Sequence, residues 1–451
     1  MKVDREKPAG PASARPSAAL KGAVAAPGDK SISHRALMFG ALAEGETIVR
    51  GLLEGDDVLR TAAAMRALGA EVERDAAPDG PRWRVAGAPW RAPARPLYFG
   101  NAGTGCRLVM GAVAGQGVAA AFDGDASLRS RPMDRILAPL ALMGATATSR
   151  DGRLPVEIEG GRKLRAIDYA LPKASAQIKS AVLLAALGAQ GETAVREPEP
   201  CRDHTERMLA AFGAQIAVEA DETGGRIIRL AGGQQLRAAT MHVPGDPSSA
   251  AFLVAAALVT PGSEVVVREV LVNPLRTGFY ETLREMGADI SFENERMAAG
   301  EPVADIRARH SMLSGVEVPA RRAPSMIDEY PILAVVAAFA AGETRMPGVG
   351  ELRVKESDRI AAVEAGLAAN GVETASGPDW LRVRGRDGAV PGGGRVETRH
   401  DHRIAMSFLV MGLAARAAVE IDDAAMIATS FPNFFALMRS LGAAFDVAAT
   451  A

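Results

Sequence analysis

The sequence predicts an α/β protein of two domains, each made of three repeated units with helices buried inside and sheets outside. Three observations carry this. A helix that ends on a glycine and runs into a short β-like stretch recurs as MRALGAEVE, LALMGATAT, MLAAFGAQIAVE, LREMGADISFE, LAANGVETA and MRSLGAAFDV. The marker glycines Gly69, Gly144, Gly213, Gly287, Gly371 and Gly442 return with a period of roughly 75 residues, too long for a solenoid and enough for a small layered unit. The 451 residues also exceed what one core usually spans, and 48% apolar residues suffice to fill two.

Each unit opens on a helix that is apolar on nearly every side, the mark of full burial. In order these are DKSISHRALMFGALAEG (29–45), NAGTGCRLVMGAVAGQG (101–117), ASAQIKSAVLLAALGAQG (174–191), GDPSSAAFLVAAALVTPG (245–262), SMIDEYPILAVVAAFAAG (325–342) and DHRIAMSFLVMGLAARA (401–417). A turn and a short strand follow, as in GETIVRG, GETAVRE, GSEVVVREV and AAVEID, then an amphipathic helix such as DDVLRTAAAMRALGA or NPLRTGFYETLREMGA. Pro244, Gly245 and Pro247 break the chain between units three and four. The expected domains are therefore residues 28–244, and 245–451 together with 1–27, because ALKGAVAAP reads as a strand lent to the C-terminal half. The leader MKVDREKPAGPASARPSAALKG lacks the apolar core of a signal peptide and reads as a disordered Pro/Ala-rich segment whose loss matters little.

Composition narrows the function. Basic and acidic residues number 52 and 54, for a net charge of -2, so neither nucleic acid nor an acidic membrane is an expected partner. Cys106 and Cys201 are too few for a disulfide framework, which points to the cytoplasm, and no apolar run is uniform enough to span a membrane.

Cations gather instead at helix starts. PGDKSISHRA has the Gly, Lys and Ser of a nucleotide P-loop, but Asp29 separates Gly28 from Lys30 and the spacing fails. What remains is a helix start, capped by Asp29 or Ser31, whose free N–H groups lie beside Lys30 and Arg35: a place for an anion. Gly100 to Gly105 form a Gly-rich entry that lets backbone approach a ligand, with Arg107 one turn inside. Arg131 in SLRSRPMDR, Arg202 in CRDHTER, Lys355 and Arg359 in RVKESDR and Arg403 in RHDHR stand at comparable places, whereas Arg129, Arg135 and Arg399 read as solvated helix faces. Ser175, Ala176 and Gln177 supply neutral groups that position hydroxyls or carboxylates. Two acids stand out: Asp328, at the threshold of a buried helix, and Glu356, between Lys355 and Arg359. Capping explains Asp328 in part, and proton transfer is the alternative. His400 and His402 read poorly as metal ligands between Arg399 and Arg403, and Cys106 has no histidine beside it in sequence to activate it.

Taken together, PGDKSISHRAL, GNAGTGCRL, SLRSRPMDR, KASAQIKSAVLLAAL, SMIDEYPIL, ELRVKESDRI and RHDHRIAM closely resemble the 5-enolpyruvylshikimate-3-phosphate synthase family, in its bacterial class II branch. The resemblance runs through all six units. It implies an inside-out α/β barrel in each domain, three βαβαββ units apiece with buried helices and outer mixed sheets, and an active site in the cleft between domains. It implies transfer of the enolpyruvyl group of phosphoenolpyruvate to the 5-hydroxyl of shikimate 3-phosphate, by addition and then elimination of phosphate, with no metal or organic cofactor, in a monomer. By motif, Lys30, Ser31, Arg35, Ser175, Ala176, Gln177, Arg202, Asp328 and Lys355 are expected to hold shikimate 3-phosphate, although relatives differ at Arg202. Lys30, Asn101, Gly103, Arg131, Gln177, Arg359 and Arg403 are expected to hold phosphoenolpyruvate. Asp328, Glu356 and Lys30 are the expected proton-moving groups. Gly103, where herbicide-tolerant relatives carry alanine, implies sensitivity to glyphosate, a phosphoenolpyruvate competitor. The related UDP-N-acetylglucosamine enolpyruvyl transferases use a cysteine acid in a mobile loop, which Cys106, at a helix start, does not match. A non-catalytic anion-binding scaffold would not need both Asp328 and Glu356.

Overall fold

A computed structural model describes residues 10–77, 80–222 and 224–447. Their contacts divide them into two units: 28–243 with 298–300, and 10–27 with 244–297 and 301–447.

The unit of residues 28–243 holds α1 (Lys30–Leu42), α2 (Asp56–Leu68), α3 (Gly103–Gly115), α4 (Ala126–Ser130), α5 (Asp134–Leu142), α6 (Ala176–Ala186) and α7 (His204–Ala211). The other holds α8 (Pro247–Val259), α9 (Gly278–Glu285), α10 (Ala323–Met326), α11 (Tyr330–Phe339), α12 (Arg359–Ala369), α13 (His402–Gly412) and α14 (Phe434–Ser440). All-round apolar sequence buries α8, α11 and α13 along their whole lengths, and α1 from Ile32 to Ala41. The amphipathic helices α2, α5, α7, α9, α12 and α14 each end at or just before a marker glycine. All six of these glycines take positive φ, between 75° and 116°, a conformation that costs glycine least, so the sequence repeat marks a structural stop.

Among the described residues, four of the six sheets repeat one plan: a short strand pairs in parallel with the strand after the buried helix, and a two-stranded hairpin pairs beyond it. In residues 28–243 the sheets run Thr240–His242, Glu46–Arg50, Gly80–Ala86, Glu71–Ala77; Leu97–Tyr98, Ala120–Asp123, Arg153–Ile158, Ala147–Arg150; and Asp168–Ala170, Glu192–Glu197, Arg226–Ala231, Ile216–Ala220. The last strand of this unit thus lies beside its first, in register Thr240 to Ile48, and closes the trio on itself.

In the other unit the chain's N-terminal segment does the closing. Lys21–Ala25 pairs in parallel with Glu264–Leu271, as the reading of ALKGAVAAP expects. Ala12–Arg15 lies between Val419–Ile421 and Ala444–Val447, antiparallel to both. This corrects the reading of residues 10–22 as a disordered leader: Ala12, Ala14 and Leu20 are buried, and the strand supplies a central member of its sheet. Residues 1–9 lie outside the described residues. Among the described residues, no helix is long and apolar enough to cross a membrane.

Candidate functional site

The buried helices begin with polar residues, and each unit collects its own cation cluster there. In the unit of residues 28–243, Asp29 caps α1 by accepting the Ile32 N–H at 2.8 Å. The next residue, Lys30, reaches Asp57 on α2, Nζ to Oδ2 3.1 Å. One turn further, Arg35 is buried and held on three sides: Nε donates to Thr205 Oγ1 (2.8 Å), Nη2 to Ser180 Oγ (2.7 Å) and Nη1 to the Ser31 carbonyl (2.9 Å). His34, between them, bonds Thr61 Oγ1 through Nδ1 at 2.8 Å. Burial first, then the charges of Lys30 and Arg35, lower its pKa to about 3, so the imidazole is neutral.

A second group surrounds the start of α3, where Ala102 offers no side-chain cap. Arg131 Nη2 donates to Asn101 Oδ1 and to Ser127 Oγ (2.9 Å). Asn101 is fixed in turn by Asp125, Nδ2 to Oδ2 3.0 Å. Arg107 Nη1 donates to Gln177 Oε1 (3.1 Å), whose amide nitrogen reaches Thr104 Oγ1 (3.0 Å). Gly103 sits between the two arginines: a Cβ there would meet Arg107 Nη1 at 2.9 Å and Arg131 Nη1 at 3.1 Å. Two guanidinium groups, a bare helix start and a glycine make a surface shaped for a small anion. Ser175 caps α6 and Ala176 begins it. Arg202 lies half-buried in the loop before α7. Lys179 anchors that loop, donating to the Cys201 carbonyl (3.2 Å) and pairing with Glu197 and Glu206 at 2.6 Å each, all out of contact with water or nearly so.

In the other unit, Asp328, Lys355, Glu356, Arg359 and Arg403 share one network. Arg359, 1% exposed, binds Asp401 through Nε (2.8 Å), Glu356 through Nη2 (2.7 Å) and Asp328 through Nη1 (3.3 Å). Burial opposes its charge, but Asp401, Glu356 and Asp328 together outweigh that and raise its pKa. Lys355 Nζ stands 3.5 Å from the same Asp328 oxygen. Arg403 Nη1 donates to the Asp328 carbonyl (3.1 Å), and Asp401 Oδ1 accepts the Arg403 N–H (2.9 Å).

Several partners in these clusters escape sequence reasoning. Asp57 looks like an ordinary acid in the first turn of an amphipathic helix, and Asp401 like a simple cap; both also hold site cations. Arg107 was visible as a residue one turn inside α3, but its bond to Gln177 spans 70 positions and leaves no local signal. Of the groups read as unpromising, Cys106 is buried and its thiol is pushed up to about 12, which keeps it protonated. Arg129 makes an exposed ion pair with Asp123, and Arg399 is exposed.

The pattern of the EPSP synthase (3-phosphoshikimate 1-carboxyvinyltransferase) family matches residues 14–438. The 3-phosphoshikimate 1-carboxyvinyltransferase of Parvibaculum lavamentivorans is 61% identical over 436 residues, 96% of each chain. That of Phenylobacterium zucineum is 60% identical over 432 residues, 95% of this chain and 94% of the relative. An EPSP synthase structure from Acinetobacter baumannii matches with a TM-score of 0.84 at 45% identity, over 97% of this chain and 100% of that one. The enolpyruvyl transferase NikO from Streptomyces tendae, 17% identical with a TM-score of 0.76 over 98% of this chain and 100% of its own, shares the fold.

Proposed function

Because this chain belongs to the EPSP synthase family and transfers the enolpyruvyl group of phosphoenolpyruvate to shikimate 3-phosphate, we propose that its two cation clusters act on that one pair of substrates. Each substrate carries a phosphate and a carboxylate, and forked guanidinium donors match both kinds of anion. On this reading Lys30, Ser31, Arg35, Ser175, Ala176, Gln177, Arg202, Asp328 and Lys355 hold shikimate 3-phosphate. Lys30, Asn101, Gly103, Arg131, Gln177, Arg359 and Arg403 hold phosphoenolpyruvate. The observation that carries the reading is the single network joining Asp328, Lys355, Glu356, Arg359 and Arg403, which places two carboxylates among three cations.

The chemistry follows from those groups. Asp328 takes the proton of the 5-hydroxyl as its oxygen attacks C2 of phosphoenolpyruvate, and Glu356 delivers a proton to C3, with Lys30 and Lys355 placed to share either task. Glu356 is ion-paired with Arg359, Nη2 to Oε2 2.7 Å. An anion that takes over Arg359 leaves Glu356 beside negative charge, the condition under which a carboxyl holds a proton. The tetrahedral adduct then collapses: the C3 methyl returns a proton to the Glu356 carboxylate as the C2–O bond to phosphate breaks and the C2=C3 double bond re-forms, and the cations stabilise the charge that departs with phosphate. A monomer in the cytoplasm suffices for this scheme, since one chain carries every group.

Phosphate release measured with both substrates, and with each omitted in turn, tests it. Release is expected only when both are present. Release from phosphoenolpyruvate alone at a comparable rate would overturn the reading.

A further inference from the structure

Among the described residues, the Arg403 guanidinium is anchored through one nitrogen. Among the described residues, every hydrogen bond and ion pair of its guanidinium is made by Nη1, to the Asp328 carbonyl at 3.1 Å and to Glu329 Oε1 at 3.5 Å. The opposite edge, Nε and Nη2, is left to whatever anion arrives. Such a buried arginine presents a usable fork only if something fixes its rotation, and a carboxylate against Nη1 does so.

Glu329 is itself held from behind. It is 2% exposed at the start of α11, and its Oε1 accepts the Ser248 hydroxyl from α8. Ser248 Oγ in turn accepts from Arg276 Nη2 at 3.1 Å, and Arg276 pairs with Asp246, the cap of α8, at 3.2 Å. A line of contacts thus runs from Arg276 through Ser248 and Glu329 to Arg403, and joins the starts of three buried helices. A buried carboxylate adjacent to Asp328 costs desolvation energy that helix capping does not repay here, since Glu329 makes no side-chain cap bond to α11.

We infer that Glu329 is a positioning residue for phosphoenolpyruvate: it holds Arg403 by its Nη1 edge and so aims the other edge at the substrate's anionic group. It does not touch the substrate, and Ser248 supports it from behind. This rests on the reading that Arg403 binds phosphoenolpyruvate.

The test is steady-state kinetics with both substrates varied, for Glu329→Gln, Ser248→Ala and Arg403→Lys. Glu329→Gln keeps the shape and an acceptor for Ser248 while removing the charge. It is expected to raise KM for phosphoenolpyruvate about tenfold, with kcat falling less than threefold and KM for shikimate 3-phosphate unchanged. Ser248→Ala is expected to give a smaller rise of the same kind, and it carries the test if Glu329→Gln does not fold. A merely structural role lowers the active fraction and the melting temperature without this split between substrates. If Arg403→Lys raises KM for phosphoenolpyruvate and the Glu329 and Ser248 variants do not, the inference is overturned while the functional reading stands. If Arg403→Lys leaves that KM unmoved, the functional reading fails at Arg403, and this inference with it.

Discussion

Replacing His34 by Asn should remove a large part of the protein's loss of stability in mild acid. The ring is fully buried on α1, and its Nε2 finds no hydrogen-bond partner among the described residues. An imidazolium there would have to bury an unmatched donor and a third positive charge beside Lys30 and Arg35. Its pKa is accordingly depressed from 6.5 to about 3. A histidine with a depressed folded-state pKa binds fewer protons folded than unfolded. Its contribution is therefore fully present above pH 6.5 and is lost as the pH falls toward 3. Across that interval the linkage amounts to about 5 kcal/mol, of which about 2 kcal/mol is gone by pH 5. Urea unfolding at pH 7.5, 6 and 5 reads it. Trp90, whose indole N–H donates to the Ala41 carbonyl of α1, reports on the right region, and Trp380, in the other unit, is best replaced by Phe in both proteins. The variant starts less stable because it loses packing, so the slope decides. The stability gap between parent and variant should shrink by about 2 kcal/mol from pH 7.5 to pH 5. Parallel curves would show that His34 titrates normally and that the charge argument for α1 is wrong.

Gly103→Ala should fold, because the atoms its methyl crowds are the far ends of Arg107 and Arg131, with Leu128 Cδ1 in ordinary contact at 3.5 Å, but those ends must retreat by a few tenths of an ångström. Weakening one charge-assisted bond should raise KM for phosphoenolpyruvate by up to about tenfold and the glyphosate inhibition constant by more; an inhibition constant equal to the parent's would remove the Gly103 reading. Asp328→Ala should cut kcat by about a hundredfold or more while both KM values move little, and equal losses in kcat and binding would demote Asp328 to a positioning role. Lys179→Met strands Glu197 and Glu206 in the interior and should cost about 3–5 kcal/mol in urea unfolding, with part recovered by adding Glu206→Gln; a loss under 1 kcal/mol would mean that the carboxylates are already neutral.

The candidate site was legible wherever a polar residue interrupts an otherwise apolar stretch. Lys30, Arg35, Asp328, Arg359 and Arg403 stand out because burying such groups without purpose is expensive. The repeat was legible because six helices need the same left-handed stop, and glycine supplies it most cheaply. What escaped was tertiary pairing. Ala12–Arg15, ASAR, has no β-branched or aromatic residue and sits in a Pro/Ala-rich stretch, so local propensity argues against a strand. It becomes one because Val419–Ile421 and Ala444–Val447 offer ladders on both sides and a core for Ala12 and Ala14. Likewise, Lys179, Glu197 and Glu206 carry no mutual signal at their spacings, and only the packing of α6 against its neighbours makes them a triad.

The helix starts show how one repeat was turned to different ends. PGDKS opens α1 and PGDPS opens α8, each with an aspartate cap, Asp29 and Asp246. Where α1 then places Lys30 beside Asp57, α8 has Pro247, and its cap is spent on the buried Arg276. The α8 start is thus internally satisfied, and its polarity is passed on through Ser248 to Glu329. The α3 start is the opposite case: Ala102 in the capping position offers no side-chain cap, and among the described residues Arg107 and Arg131 flank Gly103 there. A buried helix end without an internal cap is a standing cost, and a bound phosphate or carboxylate meets that need directly. On this logic the α3 start, flanked by Arg107 and Arg131, is one that a bound anion completes. Phosphoenolpyruvate should therefore raise the melting temperature through the α3 region, and Gly103→Ala should blunt that rise more than it lowers the melting temperature of the ligand-free protein.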